Sequence, residues 1–119
     1  QFADRTHFVH LRSCYIFPNG NFTEASHLGG RGHLIELCRI FEKAEQEGKC
    51  NSGRRLPMRV DHGMTFTDEP GGVFDESNHG HNAGYTLLGR MFAMGQIQGV
   101  IATVDDELGI EYKQPGFYD

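Results

Sequence analysis

Two polar clusters each close an apolar run, and their residue types are those of metal or proton chemistry: His10 with Arg12, and Asp61-His62-Gly63. Imidazole nitrogen and carboxylate oxygen, without paired cysteines, suit an intermediate divalent ion such as Mn, Fe, Co or Zn. Two such ligands are too few, because even open catalytic sites commonly carry three from the protein. Each residue also has a plainer reading. A single strand histidine is more often a hydrogen-bonded structural residue than a ligand, and Asp61-His62 serves equally well as a strand-end turn. His79 and His81, in Asn-His-Gly-His-Asn, resemble a metal patch, yet exposed loop histidines are usually solvated. Glu24, His27 and His33 flank the start of a helix and read as caps or surface polar groups.

The elements that must position these clusters follow from periodicity. Thr6 to Arg12 holds Phe8, Val9 and Leu11 in a short apolar run that suits a buried strand. Asn19-Gly20 between Tyr15-Ile16-Phe17 and Phe22-Thr23 predicts a small hairpin. From Gly32 to Glu47, Leu34, Leu37, Cys38, Phe41 and Ala44 recur at helical steps, and Gly48 closes that helix. Cys38 lies on its apolar stripe and reads as core. Leu56 to Asp61 predicts a second strand, with Pro57 tolerable at its start. Residues 63 to 83 are rich in Gly, Asp and His without periodicity and read as a long loop. A second helix is expected from about Ala83 to Gln98, with Leu88, Met91 and Phe92 on one face. A short strand or turn at 100–104 and an irregular acidic tail complete the reading.

Strand, helix, strand, helix makes the two strands parallel neighbours with a right-handed crossover. Two parallel strands are not stable by themselves, since both faces and both edges need cover. The pattern is therefore that of a piece of a larger α/β sheet or barrel. In such folds ligands gather at the carboxyl ends of strands, where both polar clusters fall.

Composition narrows the class. At 119 residues the chain is about half of a (β/α)8 barrel, which needs about 250. With 38% hydrophobic and 23% charged residues it reads as a soluble globular sequence, and a net charge of −5 argues against a nucleic-acid binder, whose phosphate partners demand a basic face. No apolar run approaches the roughly 18 residues of a membrane helix, so no membrane partner is expected, and no signal-peptide pattern opens the chain. Three cysteines without a CxxC pair suggest a reducing, cytoplasmic setting. From the residues alone, the result is a partial metal site on a partial sheet, with no substrate.

Four motifs in order supply more. His-Phe-Val-His-Leu-Arg-Ser, Phe-Thr-Glu-Ala-Ser-His-Leu, Leu-Pro-Met-Arg-Val-Asp-His-Gly and Asn-Ala-Gly-Tyr-Thr-Leu-Leu-Gly-Arg together resemble the C-terminal third of the mannonate dehydratase family. The resemblance runs from about residue 5 to 100. It implies a partial TIM (β/α)8 barrel carrying its last two strand–helix units, with residues 1–104 in the barrel and 105–119 an irregular acidic tail. It further implies dehydration of D-mannonate to 2-keto-3-deoxy-D-gluconate in hexuronate catabolism, with Mn2+ or Fe2+ as cofactor. His10 and Asp61 match metal ligands, His62 and Tyr85 match residues credited with the proton transfers, and Arg12, His27 and Arg59 match positions that grip the sugar acid.

Val60 and Met64 stand where the family has Pro and His, Ala83 where it tends to have Pro, and Gly71–His81 is an insertion bearing on substrate preference. The remaining metal ligands, a His and a Cys, belong to earlier strands, so the resemblance implies a need for the N-terminal barrel portion; it leaves a homodimer open. Two rivals stay beside this reading: a non-catalytic truncated fragment, and another metal-dependent barrel enzyme such as a sugar isomerase. The reaction suits the residues. It removes a weakly acidic proton beside a carboxylate and expels hydroxide from the next carbon, which asks for a Lewis acid, a base and an acid. Histidine serves as either, a tyrosine hydroxyl donates, and arginine pairs bidentately with a carboxylate. Which of His62 and Tyr85 takes which role does not follow from sequence.

Overall fold

The computed structural model describes residues 2–63 and 87–111. In chain order the elements are β1 (Val9–Leu11), β2 (Cys14–Ile16), β3 (Phe22–Glu24), α1 (Leu34–Gln46), β4 (Met58–Val60) and α2 (Leu87–Leu108), with short 3-10 turns at Ala3–Arg5 and Asn51–Gly53. The chain is thus mixed α/β. Each two-stranded sheet has the sense the sequence predicts: β1 and β4 pair in parallel, β2 and β3 antiparallel. The long loop, the Gly71–His81 insertion, His79, His81 and Tyr85 lie outside the described residues.

The core forms where the helices cover one face of the β1–β4 sheet. Leu11, Leu34, Cys38, Ile97, Val100 and Val104 are buried together, with Val9, Met58 and Val60 packed against them. A second cluster, Ala44, Cys50 and Leu56, extends the core below it. All three cysteines are free thiols. Cys38 is core, as its place on the helical stripe requires. Burial pushes its thiol up to about 12, with the Glu42 and Asp105 charges adding to the effect.

Both helices end in the same hydrogen-bonded turn. At α1, Gly48 N–H donates to the Glu45 carbonyl (2.9 Å) and Lys49 N–H reaches back to Ala44 (2.8 Å). At α2, Gly109 donates to Asp106 (3.1 Å) and Ile110 to Asp105 (2.8 Å). Gly48 and Gly109 take φ of +66° and +67°, which a side chain would resist, so these two glycines set where the helices stop.

The second helix corrects the sequence reading in two ways. It continues through residues 100–104, where a short strand or turn was expected, and through the 104/105 boundary drawn for the tail. It also turns a different face inward. Gly89, Ala93, Ile97, Val100 and Val104 are buried, while Leu88, Met91 and Phe92 are exposed. The buried positions follow helical steps of three and four and are mostly small, so α2 lies close to its neighbours. A search for large apolar residues picks the opposite face. In α1, likewise, Leu37 is exposed and Glu42 is buried beside Asp105 of α2.

By length and composition alone α2 is apolar enough to cross a membrane (mean hydropathy 1.2), although no apolar run of that length was expected from the sequence. Its buried stripe packs on α1 and β4.

Candidate active site

Register places four of the candidate residues, His10, Arg12, Arg59 and Asp61, on one surface. His10 lies opposite Arg59, and Val9 and Leu11 lie opposite Met58 and Val60. Strand side chains alternate between faces. Val9, Leu11, Met58 and Val60 therefore go to the helices, while His10, Arg12, Arg59 and Asp61 share the other face. Asp61 N–H donates to the Leu11 carbonyl (3.1 Å), so the ladder continues to the end of the site.

Five side chains connect in series across that end. His10 Nδ1 is 3.7 Å from Asp61 Oδ1, and Asp61 Oδ2 is 3.7 Å from His62 Nε2. His62 Nδ1 is 3.9 Å from Glu24 Oε1. Glu24 in turn takes both prongs of Arg12, through Nε (3.0 Å) and Nη2. Phe22 lies under the same guanidinium, 5.4 Å from ring centre to Cζ. The Arg12 side chain is held further up its already basic range, chiefly by its hydrogen bond to Glu24.

Burial grades this row. His62 is buried (6% exposed), whereas His10 is exposed and Asp61 intermediate. Arg59 is exposed, its Nε making a long 3.4 Å contact to the Val60 carbonyl. His27 stands apart at 1% exposure. Its Nε2–H donates to the Leu11 carbonyl (2.9 Å), and its backbone N–H donates to Gln96 Oε1 (2.9 Å), which ties the hairpin to α2.

Glu24 is the residue that sequence reasoning missed, having read as a helix-flanking polar group. A signal was present. A hairpin closing at Asn19-Gly20 folds β3 back along β2 and sets Glu24 opposite Cys14, two residues beyond Arg12.

His10 and Asp61 fit a divalent ion as two of its donors. Two ligands about 2.1 Å from one ion at a tetrahedral angle sit about 3.4 Å apart, close to the 3.7 Å found. Among the described residues no group of three or more His, Cys, Asp or Glu gathers to complete a shell.

A family model, D-mannonate dehydratase, matches residues 1–111 and so takes in both polar clusters. The chain belongs to the D-mannonate dehydratase family. Similar relatives include Mannonate dehydratase 2 of Agrobacterium fabrum, 34% identical over 110 residues, 91% of this chain and 26% of the relative. Mannonate dehydratase of Saccharophagus degradans is 32% identical over 107 residues, 88% of this chain and 25% of the relative. That of Brucella canis is 31% identical over 106 residues, 88% and 24%. The chain thus spans about a quarter of the length of the curated mannonate dehydratases it matches.

Proposed function

We propose that this chain is one part of a divalent-metal-dependent D-mannonate dehydratase built on a (β/α)8 barrel, and that the rest of the barrel completes its site. The observation that carries the reading is the shared carboxyl end of β1 and β4, where His10, Asp61 and His62 stand in series.

His10 and Asp61 would hold Mn2+ or Fe2+ together with donors from elsewhere in the barrel. When bound, the ion supplies Lewis-acid stabilisation of the negative charge that develops on the substrate carboxylate. Arg59 is exposed on the same face and receives that carboxylate. Arg12 would offer it the part of its guanidinium outside the Glu24 fork. His62 and Tyr85 divide the proton work: one takes the proton from C2, and the other protonates the hydroxyl that leaves C3 as water. The enol that remains becomes the 2-keto-3-deoxy acid. His27 helps by holding the carboxyl end of β1 through Leu11, beneath the substrate-facing residues.

The test is an assay with D-mannonate and Mn2+ on the chain joined with the remaining barrel of a relative. Formation of a 2-keto-3-deoxy acid is expected. A ketose product assigns the barrel to an isomerase, and no product with intact metal binding leaves the chain a non-catalytic member.

A further inference from the structure

Arg39 and Arg12 are each held in a two-pronged grip by a glutamate, and the two grips differ. Arg39 of α1 meets Glu107 of α2 through Nε (2.9 Å) and Nη2 (3.0 Å), with both side chains close to half exposed. An exposed pair of that kind is worth little. At the end of β1, Arg12 meets Glu24 through the same two nitrogens, but here the carboxylate side chain is largely buried. Burying it costs desolvation that an apolar contact would avoid, so stability alone is a poor reason for it. Glu24 also has a second partner. Its Oε1, the oxygen that accepts from Arg12 Nε, is the atom 3.9 Å from His62 Nδ1, so one oxygen sets how far apart guanidinium and ring can stand. Two residues earlier, on the same face of β3, Phe22 lies under the guanidinium. Arg12 is thus held along one edge and on one face. The edge that Glu24 leaves, formed by Nη1 and the outer hydrogen of Nη2, has the geometry that pairs with a second carboxylate.

We propose that Glu24 is a positioning residue: it fixes the open edge of Arg12 relative to His62, so that a carboxylate held by the arginine presents its neighbouring carbons to the histidine. Dehydration of a 2,3-dihydroxy acid needs that relation. The proton to be removed is on the carbon bonded to the carboxylate, and the leaving hydroxyl is one carbon further on. Whichever of the two His62 serves, its reach is counted from the carboxylate. Tying both groups to one buried side chain fixes that reach before the substrate arrives. Glu24 itself meets neither the substrate nor the reacting atoms; it acts through Arg12 and His62. The inference rests on the dehydratase reading and deepens it, since a site set out this way selects acids whose carboxylate adjoins the reacting carbons over neutral sugars.

The experiment joins the chain to the unaligned portion of Agrobacterium fabrum Mannonate dehydratase 2, adds Mn2+, and compares the parent with variants. Glu24→Gln keeps the side-chain shape and loses the charge; it is expected to raise KM for D-mannonate and to lower kcat, each at least tenfold. Because Glu24 acts on KM through Arg12, the double variant with Arg12→Ala is expected to show the KM of Arg12→Ala alone. Glu107→Gln breaks the other grip and is expected to leave both constants within about twofold. Glu24→Asp, which keeps the charge but shortens the reach by one methylene, is expected to behave like Glu24→Gln and stands in for it if that variant does not fold. In the 119-residue chain itself, Glu24→Gln is expected to shift the NMR signals of Arg12 Nε–H and the His62 ring together, with the rest of the amide spectrum unchanged. Parent-like constants in Glu24→Gln, rescue by Glu24→Asp, a KM increase that adds to that of Arg12→Ala, or unmoved Arg12 and His62 signals each overturn the proposal. A parent fusion that binds Mn2+ yet turns over no D-mannonate overturns the dehydratase reading and the proposal with it, whereas an active parent indifferent to Glu24→Gln overturns the proposal alone.

Discussion

Glu24, from the hairpin, grips Arg12 at the end of β1 with both carboxylate oxygens and faces His62 at 3.9 Å. One carboxylate thereby fixes two residues that come from separate segments. The Glu24 side chain is only 10% exposed while that of Arg12 is 37%, so the pair lies between the weak surface case and the costly buried one. Glu24→Ala is expected to lower stability by about 1–2 kcal/mol, measured by denaturant unfolding. An unchanged midpoint would show that the pair contributes nothing.

A second carboxylate makes stability depend on pH. Burial, with the Asp105 charge second, raises Glu42 to about 7 from an ordinary 4.5; Glu45 adds to the shift and Arg55 opposes it. Because the folded value is the higher one, the folded chain holds this proton more tightly than the unfolded chain. The stabilisation is complete below about pH 4.5, fades as pH rises to about 7, and changes no further above that. Glu42→Gln should flatten this part of a Tm-against-pH profile; a slope identical to the parent chain refutes the assignment.

Gly63 joins the Asp61-His62 pair to α2 by contact. A Cβ built there would stand 2.5 Å from the Gly89 carbonyl oxygen and 3.1 Å from the Arg90 nitrogen, both backbone atoms that yield little. Gly63→Ala is therefore expected to cost about 1–3 kcal/mol and to shift the His62 ring resonances. Normal stability with unmoved His62 signals would mean that α2 gives way freely.

Two donors alone predict weak metal binding by the isolated chain. Paramagnetic Mn2+ should broaden the NMR signals of His10 and Asp61 at millimolar concentration, and Asp61→Asn should remove the effect. Broadening centred on other residues would move the site. The same isolated chain is expected to show no turnover of D-mannonate, since its shell is incomplete.

Thiol chemistry reads out the core. Cys38 is 1% exposed and its thiol is pushed up to about 12, whereas Cys14 is half-buried. An aromatic disulfide reagent at pH 8 should label Cys14 first and Cys38 only on unfolding. Early labelling of Cys38 would place it outside the core.

What the sequence made legible was local and periodic. The short apolar run Phe8, Val9 and Leu11 and the pair Met58 and Val60 identified both strands, Asn19-Gly20 identified the hairpin, and Gly48 identified the end of α1. The join of His10 to Asp61 followed from the parallel pairing of those strands. The inner face of α2 escaped because its packing uses Gly89 and Ala93, residues that carry almost no hydropathy signal. Glu24 escaped because its partners arrive from β1 and from beyond β4, a tertiary fact that no window around residue 24 contains. Glu42 escaped for the same reason, since a charged residue on a helix reads as solvated until its neighbour is known.

The alternation of β1 and β4 has an evolutionary reading. Neighbouring residues along each strand serve different masters: Leu11 and Val60 answer to the helices, His10 and Arg59 to whatever enters from the other side. Drift at one set leaves the other nearly untouched. A lineage altering its substrate could therefore revise the outward positions one at a time, without renegotiating the scaffold that carries them.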